Sequence, residues 1–359
     1  MTDVTDRTGD LDSATSTDLH GTGSEPADVR LLRHLEPLLR IPVGEHGDSR
    51  HGDSRAGDVY ILTPEIETAV KVAVLTGRPL LLGGPPGCGK SSLASFLARR
   101  LGVRYHEFVA TEDSRPSDLI WRLDAVRRLG DANANALSGR TGRDSTAPYI
   151  EPGPLWWALD PESARARGSD GLAEEDQAAP PELLADHTPD RPGAVLLIDE
   201  IDKADAAFCN GLLVPLGSRQ AFVGPLDFTV RVPTGAPAWS PLTVITTNNE
   251  RDLPEAFLRR CLVLRLPAPD ATRLVEIVGE HFGRLPAPIE QLVRDLAEEV
   301  TRPHTGRPVS TAEFLDLVKV LRHLDQAEDS LDDGMLDMLK RITLDKHALY
   351  GADERSWLR

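Results

Sequence analysis

The sequence predicts an α/β fold built on parallel strands and followed by a small helical domain. Three observations carry that expectation. A glycine-rich loop joins a short apolar run to a helical pattern, two further apolar runs end in polar or acidic residues, and four amphipathic patterns at helical spacing close the chain.

The loop comes first. Residues 83–91 read Gly-Gly-Pro-Pro-Gly-Cys-Gly-Lys-Ser, and the stretch from Gly84 fills G-x-x-x-x-G-K-[ST]. Residues 80–82 suit a buried strand, and Leu93, Phe96, Leu97 and Leu101 recur at helical spacing behind the loop. Glycines at such a turn let successive backbone N–H groups converge on a polyphosphate, and the helix N-terminus adds partial positive charge. The nucleotide-contacting set is therefore Gly84, Pro85, Pro86, Gly87, Cys88, Gly89, Lys90, Ser91 and Ser92. Lys90 reaches the outer phosphates and the Ser91 hydroxyl ligates magnesium.

The second signature is Ala194-Val-Leu-Leu-Ile-Asp-Glu. Five apolar residues make a strand buried on both faces, and its two carboxylates emerge where parallel sheets place their ligands. Asp199 holds magnesium, and Glu200 orients and polarises an attacking water. A helix cap leading into Ile201-Asp-Lys-Ala-Asp is the plainer alternative. A third apolar run from Leu242 ends in Thr247-Asn248-Asn249-Glu250, where the Asn248 amide is placed to bond both a terminal phosphate and that water. Asn pairs after strands are ordinarily turn chemistry, so this assignment leans on its neighbours. Next, Asp252-Leu-Pro-Glu-Ala-Phe-Leu-Arg-Arg-Cys puts Arg259 and Arg260 at the end of a short helix, ahead of a strand over 262–266. Such pairs often only salt-bridge on a surface, but here the order fits a finger offered to a neighbouring subunit's nucleotide.

Between these signatures, residues 103–110 read as a strand and 116–129 as a helix. Trp156 and Trp157 cannot both face one core on a helix, so one is expected at a binding or interface surface, or both on a two-sided helix between the sheet and a neighbouring subunit. Helical patterns at 272–282, 289–300, 311–324 and 331–344 form the C-terminal domain, with Ser310-Thr-Ala-Glu313 as a capping box.

The 359 residues carry a formal charge of −17, concentrated in two places. Residues 1–30 hold seven acids against two arginines, and residues 160–192 hold nine against three. Both are expected to be disordered or loosely ordered. Residues 31–58 hold a short amphipathic helix and a tandem His-Gly-Asp-Ser-Arg duplication, a flexible linker, before Thr63 caps the first helix of the ordered domain. The expected layout is thus an acidic tail (1–30), a linker (31–58), an α/β domain (59–267) and a helical domain (268–359). No long apolar run or basic, apolar leader appears, and Cys88, Cys209 and Cys261 lack pairing or metal-ligand spacing, which fits a soluble cytoplasmic protein. The acidity argues against broad nucleic-acid binding, for which Arg122, Arg127, Arg128, Arg140 and Arg143 form the only cluster worth testing. No Asn-Lys-x-Asp guanine motif occurs; Asp202-Lys-Ala-Asp205 belongs to the helix after Glu200.

GGPPGCGKS, LLIDEIDKAD, ITTNN and LPEAFLRRC, in this order, resemble an AAA+ ATPase of the MoxR-like, dynein-related branch over about residues 60–350. The resemblance implies a P-loop NTPase core, a three-layer α/β/α sandwich on a five-stranded parallel sheet, with a helical lid, ATP and Mg2+ between subunits, and a homo-oligomeric ring, commonly a hexamer. It makes Lys90 and Ser91 the Walker A pair, Asp199 and Glu200 the Walker B pair, Asn248 the first sensor and Arg260, with Arg259, the finger. Segments 113–135 and 217–233 match hairpins that face partners or the pore. Where relatives carry a second-sensor arginine this chain has Ala312, and Arg307 is the candidate substitute. Three functions follow: a remodelling chaperone whose partner by analogy is a von Willebrand factor A domain protein, a nucleic-acid motor, or a nucleotide-dependent scaffold.

Overall fold

A computed structural model describes residues 59–138, 145–182, 184, 187–235, 240–302, 309–326 and 333–344. The acidic tail, the 31–58 segment, Arg140, Arg143 and Arg307 lie outside the described residues.

Helix α1 (Pro64–Thr76) opens this region. Thr63 caps it, its Oγ1 accepting from the Ile66 N–H at 3.2 Å, and proline fills the first helical position. There follow β1 (Leu80–Gly83), α2 (Lys90–Leu101), β2 (Arg104–Val109), α3 (Pro116–Ile120), β3 (Trp121–Leu123), α4 (Ala125–Ser138), β4 (Ile150–Pro152), α5 (Pro154–Leu159) and α6 (Pro161–Arg165). Beyond them come β5 (Ala194–Asp199), α7 (Ala206–Gly211), α8 (Leu213–Ser218), β6 (Gln220–Val223), β7 (Phe228–Arg231), β8 (Leu242–Thr247), α9 (Glu255–Leu258) and β9 (Leu262–Arg265). Helices α10 (Ala271–Phe282), α11 (Ala287–Thr301), α12 (Thr311–Gln326) and α13 (Asp333–Thr343) complete it.

The central sheet is five-stranded and parallel, in the order β2-β5-β8-β1-β9. Its strands read as continuous apolar runs because both faces are covered. Leu80, Leu82, Val195, Leu197 and Val244 point into a core shared with α1 and α2, while Leu81, Leu196, Ile198 and Ile245 point into one shared with α5 and α7. The C-terminal helices bury a third core around Leu274, Val293, Phe314 and Leu317. The capping box at the start of α12 is formed: Ser310 N–H donates to Glu313 Oε2 at 2.9 Å, and Glu313 N–H donates back to Ser310 Oγ at 3.2 Å.

Three expectations are corrected. The 116–129 helix is broken into α3, β3 and α4, with β3 pairing antiparallel to β4; that pair reaches outside 113–135, whereas β6 and β7 form a hairpin within 217–233. The 160–192 stretch, expected to be disordered or loosely ordered, contains α6, capped by Asp160, and a buried Asp176. Arg127 pairs with that carboxylate at 3.0 Å and Arg167 donates to the Asp176 carbonyl at 2.7 Å. Net composition does not register such specific pairing. The expectation for the tryptophans is corrected as well: Trp156 and Trp157 on α5 are both buried in one core of this chain, the one that holds Leu196 and Phe208. Trp156 stacks on Phe228 and donates to Ser163 Oγ at 2.9 Å.

His106 on β2 gives a stability prediction. Burial, helped by the Arg104 charge, pushes its imidazole down to about 3. A folded-state value depressed below the ordinary 6.5 means the unfolded chain binds the proton first, so stability is full above that value and falls as pH drops toward about 3. Between pH 7 and pH 5 the parent should lose about 2 kcal/mol more than a His106→Leu variant, read from denaturant midpoints. Equal losses in both proteins would refute it.

Candidate nucleotide site

Because β8 lies between β1 and β5 in the sheet, the tip carrying Asn248 is flanked by the phosphate loop and by Asp199. The side chains meet accordingly. Lys90 Nζ donates to Gly84 O, Pro85 O and Asn248 Oδ1, each at 2.8 Å. Ser91 Oγ donates to Asp199 Oδ1 at 2.8 Å, and the Thr246 hydroxyl donates to the same oxygen. Thr246 Oγ1 also accepts from the Glu200 N–H at 2.9 Å, so one hydroxyl ties both carboxylate residues to β8. Glu200 takes a left-handed backbone conformation, φ 55°, and its carboxylate pairs with Lys203 Nζ.

These groups open on a cleft of about 740 Å3 between the sheet and the C-terminal helices, also lined by Tyr60, Arg273, Thr311 and Ala312. The loop adopts a shape that glycine permits: Gly87 has φ +75°, and a Cβ there would fall 2.1 Å from Ser310 Cβ. Helix α12 is seated directly on the loop, its Thr311 N–H donating to Gly87 O at 3.2 Å. Arg273 of α10 donates to Ile61 O at 2.7 Å, joining the bundle to the segment before α1. Burial pushes the Cys88 thiol up despite Lys90, which leaves little thiolate in the loop.

A polyphosphate with a divalent cation fits this donor set. The Lys90 ammonium is only 7% exposed, and its three acceptors are all uncharged oxygens. Among the described residues this buried cation has no ion-pair partner, and an anion in the cleft would supply one. Ser91 and Asp199, one hydroxyl and one carboxylate, are hard oxygen ligands suited to magnesium.

Arg259 and Arg260 are not brought to this cleft. Both are exposed and line a second cavity of about 550 Å3 with Arg78, Leu213 and Phe257. Arg259 pairs with Glu255 at 2.9 Å and Arg260 donates to Leu213 O at 2.8 Å. Arg78 fixes the chain beneath them by donating to the carbonyls of residues 259 and 261 at 2.7 and 2.8 Å. Sequence reasoning missed Thr246, Tyr60, Arg273 and Asp202. None has a motif of its own, although Thr246 lies just before the polar tip it serves.

A parallel sheet with phosphate loop, paired carboxylates and polar amide on adjacent strand tips defines a nucleotide-binding α/β protein with a helical lid-like bundle. The sequence profile of the AAA domain (dynein-related subfamily) matches residues 79–261, about half of the chain, and the chain belongs to that family. No curated protein matches the chain. Among solved structures, RuvB of Thermotoga maritima is similar in two forms. A form with a lysine-to-arginine substitution has 16% identity and a TM-score of 0.40 over 77% of this chain and 67% of its own. The Holliday junction branch migration motor form has 17% and 0.37 over 77% and 66%, so this chain spans about two thirds of that protein's length. A Cytophaga hutchinsonii protein described provisionally as an ATPase has 14% identity and a TM-score of 0.39, over 92% of this chain and 94% of its own.

Proposed function

We propose that the protein is an ATP-hydrolysing remodelling chaperone of the MoxR-like kind, working as a homo-oligomeric ring in the cytoplasm and acting on a protein partner. The observation that carries this reading is the buried Lys90 ammonium, held by neutral oxygens where three strand tips converge. Bound Mg·ATP would supply the phosphorus centre and the cation that neutralises its charge. Lys90 and the loop N–H groups hold the phosphates, and Ser91 and Asp199 hold the magnesium. Asn248 orients the terminal phosphate, and Glu200 takes the proton of the attacking water once its carboxylate is free of Lys203. Arg307 is the proposed second-sensor substitute, and α12, resting on Gly87, is the element that cleavage would move.

The partner reading draws on the faces expected to meet partners. Val126 and Leu129 of α4 are 83% and 64% exposed, and Phe222 of the β6–β7 hairpin is exposed as well. A von Willebrand factor A domain protein is the proposed class of partner. The nucleic-acid reading loses support, because Arg127 is spent on Asp176 and Arg122 lies beside Asp118 at 3.6 Å.

The finger is tested by substitution. Arg260→Ala, or Arg259→Ala, should leave nucleotide affinity intact and remove turnover, because each arginine lies outside its own chain's cleft and acts across subunits. If both variants hydrolyse ATP at the parental rate, the between-subunit mechanism is wrong.

A further inference from the structure

We infer that Asp202 is a positioning residue for Asn248, acting from the turn that carries Glu200; this rests on the phosphate-cleavage reading above. The β8 tip reverses tightly, with Asn249 left-handed at φ 60°. Its backbone donors are held by side chains. Asn248 N–H and Glu250 N–H both donate to Asp202 Oδ2, at 3.0 and 2.9 Å, and Asn249 N–H donates to Thr247 Oγ1 at 3.0 Å. The Asn248 side chain projecting from this clamped backbone accepts from Lys90 Nζ.

Asp202 itself is 1% exposed and does not line the cleft. It lies in the 3-10 turn Ile201–Lys203, directly after Glu200. Its Oδ1 has no hydrogen-bond partner among the described residues. A buried carboxylate left half bonded is costly, so a requirement beyond packing is called for. A carboxylate oxygen with two lone pairs meets one: it accepts both amides at a single point and locks the two ends of the reversal together. The β8 tip and the turn after β5 then move as one body, which fixes the Asn248 amide relative to Glu200. A displacement of about 1 Å in such a group costs about a hundredfold in rate.

The test is steady-state ATP turnover and equilibrium nucleotide affinity of the full chain in Asp202→Ala, Asp202→Asn, Asn248→Ala and the double alanine variant. Asp202→Ala should lower kcat about tenfold or more while nucleotide Kd stays within about threefold. Asp202→Asn, which keeps an acceptor oxygen, should recover to within about threefold of the parent, and the double variant should be no slower than the slower single one. Should Asp202→Ala fail to fold, Asp202→Ser, whose shorter hydroxyl reaches one amide at most, should show the same kcat loss. The inference is overturned by folded Asp202→Ala or Asp202→Ser protein at the parental kcat, by losses that multiply in the double variant, or by Asp202→Asn as slow as Asp202→Ala. A parental turnover rate in Asn248→Ala overturns the cleavage reading itself, and the inference with it; the other outcomes leave that reading standing.

Discussion

Lys90→Ala is expected to lower affinity for Mg·ATP by about two to three decades, since it removes a buried charge-assisted contact to phosphate that costs several kcal/mol to lose. The same substitution should not lower the thermal midpoint of the nucleotide-free protein. The Lys90 ammonium is buried, with Gly84 O, Pro85 O and Asn248 Oδ1 as its hydrogen-bond partners among the described residues, so without an anion it is a desolvated charge that folding bears at a cost. Deleting it therefore removes a penalty, and the midpoint should hold or rise. Calorimetric titration alongside a melting curve checks both halves. A variant that binds normally, or one that loses binding only because it unfolds, would show that the ammonium is structural.

Glu200→Gln should lower turnover by about two to three decades while affinity is retained, the usual scale for removing a general base. Its isosteric amide leaves the left-handed backbone at φ 55° undisturbed, and the Thr246 bond is to the main chain. The Lys203 contact that it weakens is solvent-exposed, so stability should change by less than about 1 kcal/mol. With cleavage blocked and nucleotide held, the variant should also retain its partner, and proteins that co-purify with it but not with Lys90→Ala become the candidate clients. Parental turnover in single-turnover assays would assign the proton-accepting role elsewhere.

Much of this site was legible in the sequence because each component is a strand end followed by a distinctive residue type. Lys90, Ser91, Asp199 and Asn248 fall together because parallel strands deliver their C-terminal tips to one edge, a consequence of topology that a linear pattern already encodes. The helical bundle follows from apolar periodicity, and the five-stranded sandwich from the resemblance that the motifs carry. What stayed hidden depends on contacts between distant segments. Asp176 reads as one more acid in a charged stretch until Arg127 and Arg167, from elsewhere in the chain, surround it. The two tryptophans leave a surface open as an alternative until Phe228 covers one of them. Residues 121–123 read as helix because their spacing suits one, but the antiparallel pairing with 150–152 wins locally. Asp202 and Thr246 were invisible for a related reason: their importance lies in which backbone groups they hold across the sheet.

Binding of adenine nucleotide with magnesium to the full-length chain, measured by equilibrium titration across a range of protein concentrations, tests the account most directly. Saturable binding of one nucleotide per chain, weakened by about two to three decades in Lys90→Ala, is the predicted result. A folded protein with no affinity for adenine nucleotides at any concentration would contradict it.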